Sequence, residues 1–143
     1  MGGDAKAIAD TYYEQRKPER AAKLYLHALG LAPQTFGYSE KIEIAKRLAE
    51  AGRDHDALAL LRQLVNESHE GFAAEVALAK LLTSTGEYDA AIVEANGILR
   101  RDQNNSSALL VKGNALRQQK AFGDAMQAYR SILDRGDDFD ARQ

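Results

Sequence analysis

The chain has 143 residues, 45% hydrophobic and 28% charged, which fits a globular domain and excludes an intrinsically disordered segment. Its formal charge is −2, and quarters divided after residues 36, 70 and 104 carry +1, −2, −2 and +1, so no segment offers the cluster of cations that nucleic acid requires. Cysteine is absent, which removes disulfides, thiolate metal sites and a cysteine nucleophile.

In chain order, apolar residues recur at helical spacing through eight segments: 4–16, 18–31, 39–51, 54–67, 72–85, 88–101, 106–119 and 122–135. Pro18 opens the second helix, where its missing N–H costs nothing, and Pro33 closes it. Gly52 and Gly86 lie between paired helices, where a left-handed residue is wanted. Gly136 marks the expected end of the eighth helix. That accounts for Arg135-Gly136-Asp137, which also reads as an adhesion tripeptide.

The segments repeat. GRDHDAL (Gly52 to Leu58), GEYDAAI (Gly86 to Ile92) and KAFGDAM (Lys120 to Met126) stand 34 residues apart. A first copy, in a 36-residue register, includes Ile8, Ala9, Tyr12, Ala21, Tyr25, Ala28 and Leu29, with the two extra residues in the 34–38 connection. Small residues fall at one place on the first helices (Ala9, Ala45, Ala79, Gly113) and one on the second (Ala21, Ala57, Ala91, Ala125). Small side chains at both places bring paired helices to the close end of the usual ~8–10 Å separation.

This pattern resembles the tetratricopeptide repeat, a 34-residue helix–turn–helix unit, over roughly residues 4–136. The residues that carry it are the small residue and Leu of the first helix (Gly113, Leu116), then Gly86, Tyr88, Ala91, Ile98 and Leu99 of the turn and second helix. The departures are the absence of Trp, Lys120 in place of the turn glycine, and Lys112 where Leu is usual. The resemblance implies an all-α fold, a right-handed superhelical solenoid of antiparallel helix pairs. A single array over 1–143 would divide into repeats near 4–36, 38–71, 72–105 and 106–138, with 139–143 reading as the opening of a fifth.

Such arrays hold peptides or folded partners along a groove lined by first helices. Carried to this chain, the groove presents an apolar strip, Ile42/Val76/Leu110, beside a cationic line, Lys46/Lys80/Arg117, with Thr83 and Asn114 near them. That surface suits a segment with an apolar anchor and an acidic group. The plainer account is that the apolar strip packs on adjoining helices and the lysines are solvated. The chaperone-tail clamp of some family members is absent, because Asp10 and Glu43 stand where it needs asparagine, and Ala73 and Ala77 where it needs cations.

Met126, Tyr129 and Leu133 mark the face of the eighth helix that a next repeat would cover. This reads either as a segment cut from a longer array or as a self-association end giving a homo-oligomer. A regulatory domain of a larger protein is a further alternative. His27, His55 and His69 lack metal-ligand spacing, and the pairs Asp54/Asp56 and Asp137/Asp138 suit helix starts and loops. No cofactor, metal or catalytic residue is expected, nor a nucleic-acid partner, and no apolar run approaches the roughly 20 residues of a membrane span. The composition has a bacterial character. It leaves the compartment open between cytoplasm and, with a signal removed upstream, periplasm.

Overall fold

The structure, a computed structural model, describes the backbone of residues 2–67 and 71–141 and the side chains of 4–67 and 71–134. Eight α-helices account for nearly all of it: α1 Gly2–Glu14, α2 Pro18–Leu31, α3 Tyr38–Glu50, α4 Asp54–Glu67, α5 Ala73–Ser84, α6 Tyr88–Arg101, α7 Ser106–Gln118 and α8 Phe122–Ala141. Among the described residues there is no strand. Helices α1–α4 form one compact unit (Met1–His69) and α5–α8 a second (Glu70–Gln143).

In the first unit α1 packs on α2, α2 on α3, and α3 on α4; in the second, α5–α6, α6–α7, α7–α8 and α5–α7 are in contact. The small residues lie where these helices meet. Ala9, Ala45 and Ala79 of the first helices and Ala21, Ala57, Ala91 and Ala125 of the second are all buried. Around them pack Tyr25, Ile44, Leu48 and Leu61 in the first unit and Leu78, Leu82 and Ile98 in the second. Each large side chain contributes roughly 1.5–3 kcal/mol by leaving water.

Gly113 carries the small-residue rule to its limit. A Cβ built there would lie 2.5 Å from Tyr129 Cε1 and 2.9 Å from Cδ1 and Cζ, so the ring of α8 rests directly on the backbone of α7.

The turn inside each helix pair repeats in full. Arg16, Gly52, Gly86 and Lys120 all adopt positive φ, between 62° and 86°. The next residue in each case donates its N–H to the carbonyl five residues back: Lys17 to Tyr12, Arg53 to Leu48, Glu87 to Leu82 and Ala121 to Leu116, at 2.8–2.9 Å. This is the Schellman closure, which satisfies helix-end carbonyls. Lys120 thus takes the glycine conformation despite its side chain, and so does Arg16.

The extra residues of the first copy form a 3₁₀ turn at Pro33–Thr35, packed on α1 and α2, and Phe36 after it is buried.

One expected boundary moves. Helix α8 runs through Gly136 to Ala141 instead of ending near 135. The matching position after α6 is Asp102, where the chain leaves the helix. There Asp102 Oδ1 accepts the Asn104 N–H at 3.3 Å, and Asn105 caps α7 by accepting the Ala108 N–H at 2.9 Å. In sequence Phe139 stands where Asn105 would be needed, so no cap competes with the helical ladder. A glycine inside a helix costs only about 1 kcal/mol and does not stop it alone. The backbone of 139–141, where a fifth repeat was expected to open, continues α8; residues 142 and 143, the side chains of Arg135 and Asp137, and His69 lie outside the described residues.

Candidate functional site

Each unit has a cleft between its two first helices, at the end where the Schellman turns lie. In the second unit, α5 supplies Lys80, Thr83 and Ser84, one helical turn apart on one face. Helix α7 supplies Val111, Asn114, Arg117 and Gln118, and Tyr88 at the start of α6 closes the end. The cleft encloses about 390 Å³. Two cations and no acid line it, and among the described residues neither Lys80 nor Arg117 forms an ion pair.

Three of its polar groups, Thr83, Ser84 and Asn114, are oriented by hydrogen bonds. Thr83 Oγ1 donates to the Ala79 carbonyl and Ser84 Oγ to that of Leu81, each at 2.9 Å, so toward the cleft both oxygens act as acceptors. Tyr129 Oη donates to Asn114 Oδ1 at 2.6 Å, which leaves the Asn114 amide N–H groups as donors.

In the first unit the corresponding cleft, of about 570 Å³, is lined by Tyr13, Glu14, Arg16, Pro18, Arg47 and Glu50. Most of its polar groups already bind one another. Tyr13 Oη donates to Glu50 Oε2 at 2.7 Å, and the Arg47 guanidinium lies 4.1 Å from the centre of the Tyr13 ring. Arg47 also donates to Asp10 Oδ1 at 3.0 Å and to Tyr25 Oη, and Tyr25 Oη donates to Asp10. Lys6 completes the set at 2.9 Å from Asp10 Oδ2.

Burial works against the Asp10 charge, but the hydrogen bonds from Tyr25 and Lys6 and the charges of Lys6 and Arg47 outweigh it. The carboxyl is held below its usual range. Burial and the Asp10 hydrogen bond push the Tyr25 hydroxyl up to about 12.

The Tyr25–Asp10 and Tyr129–Asn114 links occupy the same two positions of the first and fourth copies. The middle copies hold Lys46 with Leu61 and Lys80 with Ala95 there. The recurring 15-residue separation of tyrosine from a polar residue was the available signal for this tie, and sequence reasoning had passed over it.

The residues nominated for the groove separate on inspection. Lys80, Thr83, Asn114 and Arg117 share the second cleft. Lys46 is exposed on α3. Ile42 is only 7% exposed and leaves little surface for a ligand, Val76 is half-buried, and Leu110 is 45% exposed. Val111, which the sequence had not singled out, also lines the cleft but is buried. On α8, Met126 and Leu133 are exposed together with Phe122, whereas Tyr129 is half-buried and turned toward α7.

Among the described residues no three His, Asp or Glu side chains gather as metal ligands, and no helix is long and apolar enough to cross a membrane.

Comparison with known proteins agrees with the all-helical repeat fold. One tetratricopeptide-repeat family model matches residues 76–141 and another matches 6–36, together more than half of the chain. No curated protein matches significantly. Among solved structures, YrrB, described as a TPR protein with an unusual peptide-binding site, superposes with a TM-score of 0.75 at 14% identity, covering 93% of this chain and 68% of its own. MamA from Desulfovibrio magneticus RS-1, residues 41 to the end, gives 0.72 at 15% identity, covering 93% and 74%. A further MamA structure gives 0.71 at 18% identity, covering 89% and 73%. At these identities the likeness is one of fold.

Proposed function

Because the chain belongs to the tetratricopeptide-repeat family, we propose that it is a non-catalytic protein-interaction scaffold that holds a peptide or protein segment against its first helices. The observation that carries this reading is the second-unit cleft. Two exposed cations and an oriented amide converge there, and no acidic side chain answers the cations. A surface of that kind gains from a partner that supplies the missing charge. The cleft's two aliphatic hydroxyls, Thr83 and Ser84, support a binding role over a catalytic one, since both donate to carbonyls of their own helix and no histidine lines the cleft to act as a base.

The test is affinity capture from lysate of the source organism, comparing the chain with a Lys46→Glu, Lys80→Glu, Arg117→Glu variant. A partner held by the first and lost by the second supports the reading. A partner kept by both would move the site away from these first-helix faces.

A second reading rests on α8. Phe122, Met126 and Leu133 are 59%, 49% and 62% exposed, an apolar face that self-association would cover. Mass measured across a concentration series tests it, and a monomer at every concentration removes it.

A further inference from the structure

We propose that this chain associates with a second copy of itself head to tail, the open face of α1 on one copy docking against the open face of α8 on the other. The inference deepens the self-association reading above and rests on it, naming the surface that covers α8.

The two faces are the two halves of a contact that the fold already makes. Within the second unit α7 packs on α6, and Tyr88, Ile92 and Leu99 of α6 are half-buried. One repeat later the same positions are Phe122, Met126 and Leu133, all exposed. Helix α8 thus presents the surface on which a first helix sits. Helix α1 presents the converse. Ile8 is 51% exposed and Tyr12 half-buried, whereas Ile44 and Leu48 are buried at the same positions of α3, which packs on α2. Neither face matches itself, so the contact between them is heterologous.

The register follows from a hydrogen bond within the second unit. Gln119, at the end of α7, donates from Nε2 to Asp89 Oδ1, at the start of α6, at 2.6 Å. Carried along the repeat to α1 and α8, that antiparallel alignment sets Gln15 beside Gly123, Tyr12 beside Met126, Ile8 beside Arg130 and Ala5 beside Leu133. A thioether then meets an aromatic ring, a favourable pairing, and the Arg130 stem can lie along Ile8.

Charge points the same way. Lys17 and Arg20 lie 5.8 and 5.9 Å from the centre of the Tyr12 ring, and with Ile8, Thr11 and Gln15 these residues line a cleft of about 420 Å³. Asp124 is exposed, one residue beyond Gly123, so docking brings it to the cationic end of that cleft. Among the described residues none of Lys17, Arg20 and Asp124 forms an ion pair. A second α8 related by a two-fold axis fits worse. Pairing Met126 with Leu133 in that arrangement centres the contact on Arg130 and sets this cation against its own copy.

The experiment is sedimentation velocity on the full chain, over a concentration series reaching about a millimolar, because one helix pair buries the small area of a weak contact. Ile8→Glu spoils one face and Met126→Glu the other. Both positions are exposed, and circular dichroism checks that the helices remain. The natural chain is expected to grow in mass with concentration. Each variant alone should associate at least about tenfold more weakly, since its carboxylate must leave water in an apolar contact. An equimolar mixture should recover one-to-one association, because each variant keeps the face that the other has lost. Asp124→Lys should weaken association about two- to fivefold, and adding Lys17→Glu with Arg20→Glu to the same chain should restore it.

Association by the Ile8→Glu variant as strong as that of the natural chain overturns the head-to-tail contact and leaves self-association through α8 standing. Two variants that stay apart in the mixture overturn it as well. A natural chain that is monomeric throughout overturns both this inference and the reading beneath it. Weakening by Asp124→Lys without recovery overturns the register.

Discussion

Replacing Gly113 by alanine tests how closely the last helix pair is packed. Alanine ordinarily stabilises a helix interior over glycine by about 1 kcal/mol. Here the new methyl would lie 2.5 Å from Tyr129 Cε1, whereas ordinary contact begins near 3.4 Å. The ring must therefore retreat by most of an ångström. Overpacking of that kind costs typically 1–3 kcal/mol. The retreat also strains the Tyr129–Asn114 hydrogen bond, worth about 1 kcal/mol. The balance is a net loss of roughly 1–2 kcal/mol, read as a lower urea midpoint at unchanged slope.

A double-mutant cycle isolates the cause. With Tyr129→Leu, the residue type that the second copy carries as Leu61, the clash disappears and Gly113→Ala should become stabilising by about 1 kcal/mol. Stabilisation of equal size in both backgrounds would refute the reasoning. The first copy shows that alanine and tyrosine can share these positions, since Ala9 and Tyr25 are both buried there. The cost in the fourth copy is that of re-spacing helices already closed around a glycine.

Three further outcomes follow from the geometry. Lys120→Gly and Arg16→Gly should each stabilise the fold by roughly 1 kcal/mol, because the left-handed conformation they hold costs a side chain about that much; Gly52→Ala and Gly86→Ala should lose a similar amount in urea melts. The raised Tyr25 hydroxyl keeps its proton in the folded chain after the unfolded chain has released it near pH 10. Stability should therefore fall as pH rises from 10 toward 12, and Tyr25→Phe should abolish that part of the decline. Arg101 lies over the Phe72 ring and bonds the buried Glu75 carboxylate, so Arg101→Met should cost about 1–2 kcal/mol, with Glu75→Gln in the same chain recovering part of it.

The helices were legible because each copy repeats the same apolar spacing, and the recurrence removed the ambiguity a single copy would have. The turns were partly hidden. Gly52 and Gly86 advertise the left-handed residue, while Lys120 looked like a departure and Arg16 gave no sign. Hydrogen bonding of the helix end imposes the conformation at all four places, at a cost too small to demand glycine. The end of α8 was misplaced because Gly136 was weighed without its surroundings. A helix stops where other groups take over at its end and cap the next N-terminus, and Gly136 and Phe139 lack the side-chain acceptors that Asp102 and Asn105 provide after α6.

At the clefts, the spacing of 34 brought Lys80 and Asn114 to equivalent places and let four residues be nominated that do face one cavity. Side-chain depth was beyond that reasoning. Ile42 and Leu110 occupy equivalent positions, yet one is buried and the other open. Tyr129 was expected on the free face because nothing in a linear pattern says that its hydroxyl reaches the first helix.

Among the described residues of each unit, the main helix contacts are between next or next-but-one neighbours along the chain. Such a chain closes small loops and never has to gather distant segments, which places it among the faster folders for its size. The same locality governs its response to a pull on the two ends of a unit. Hairpins can peel away one after another at modest force, each leaving its remaining neighbours seated, and each able to snap back without waiting for the rest. A partner that tugs on a unit would thus stretch a re-closable spring.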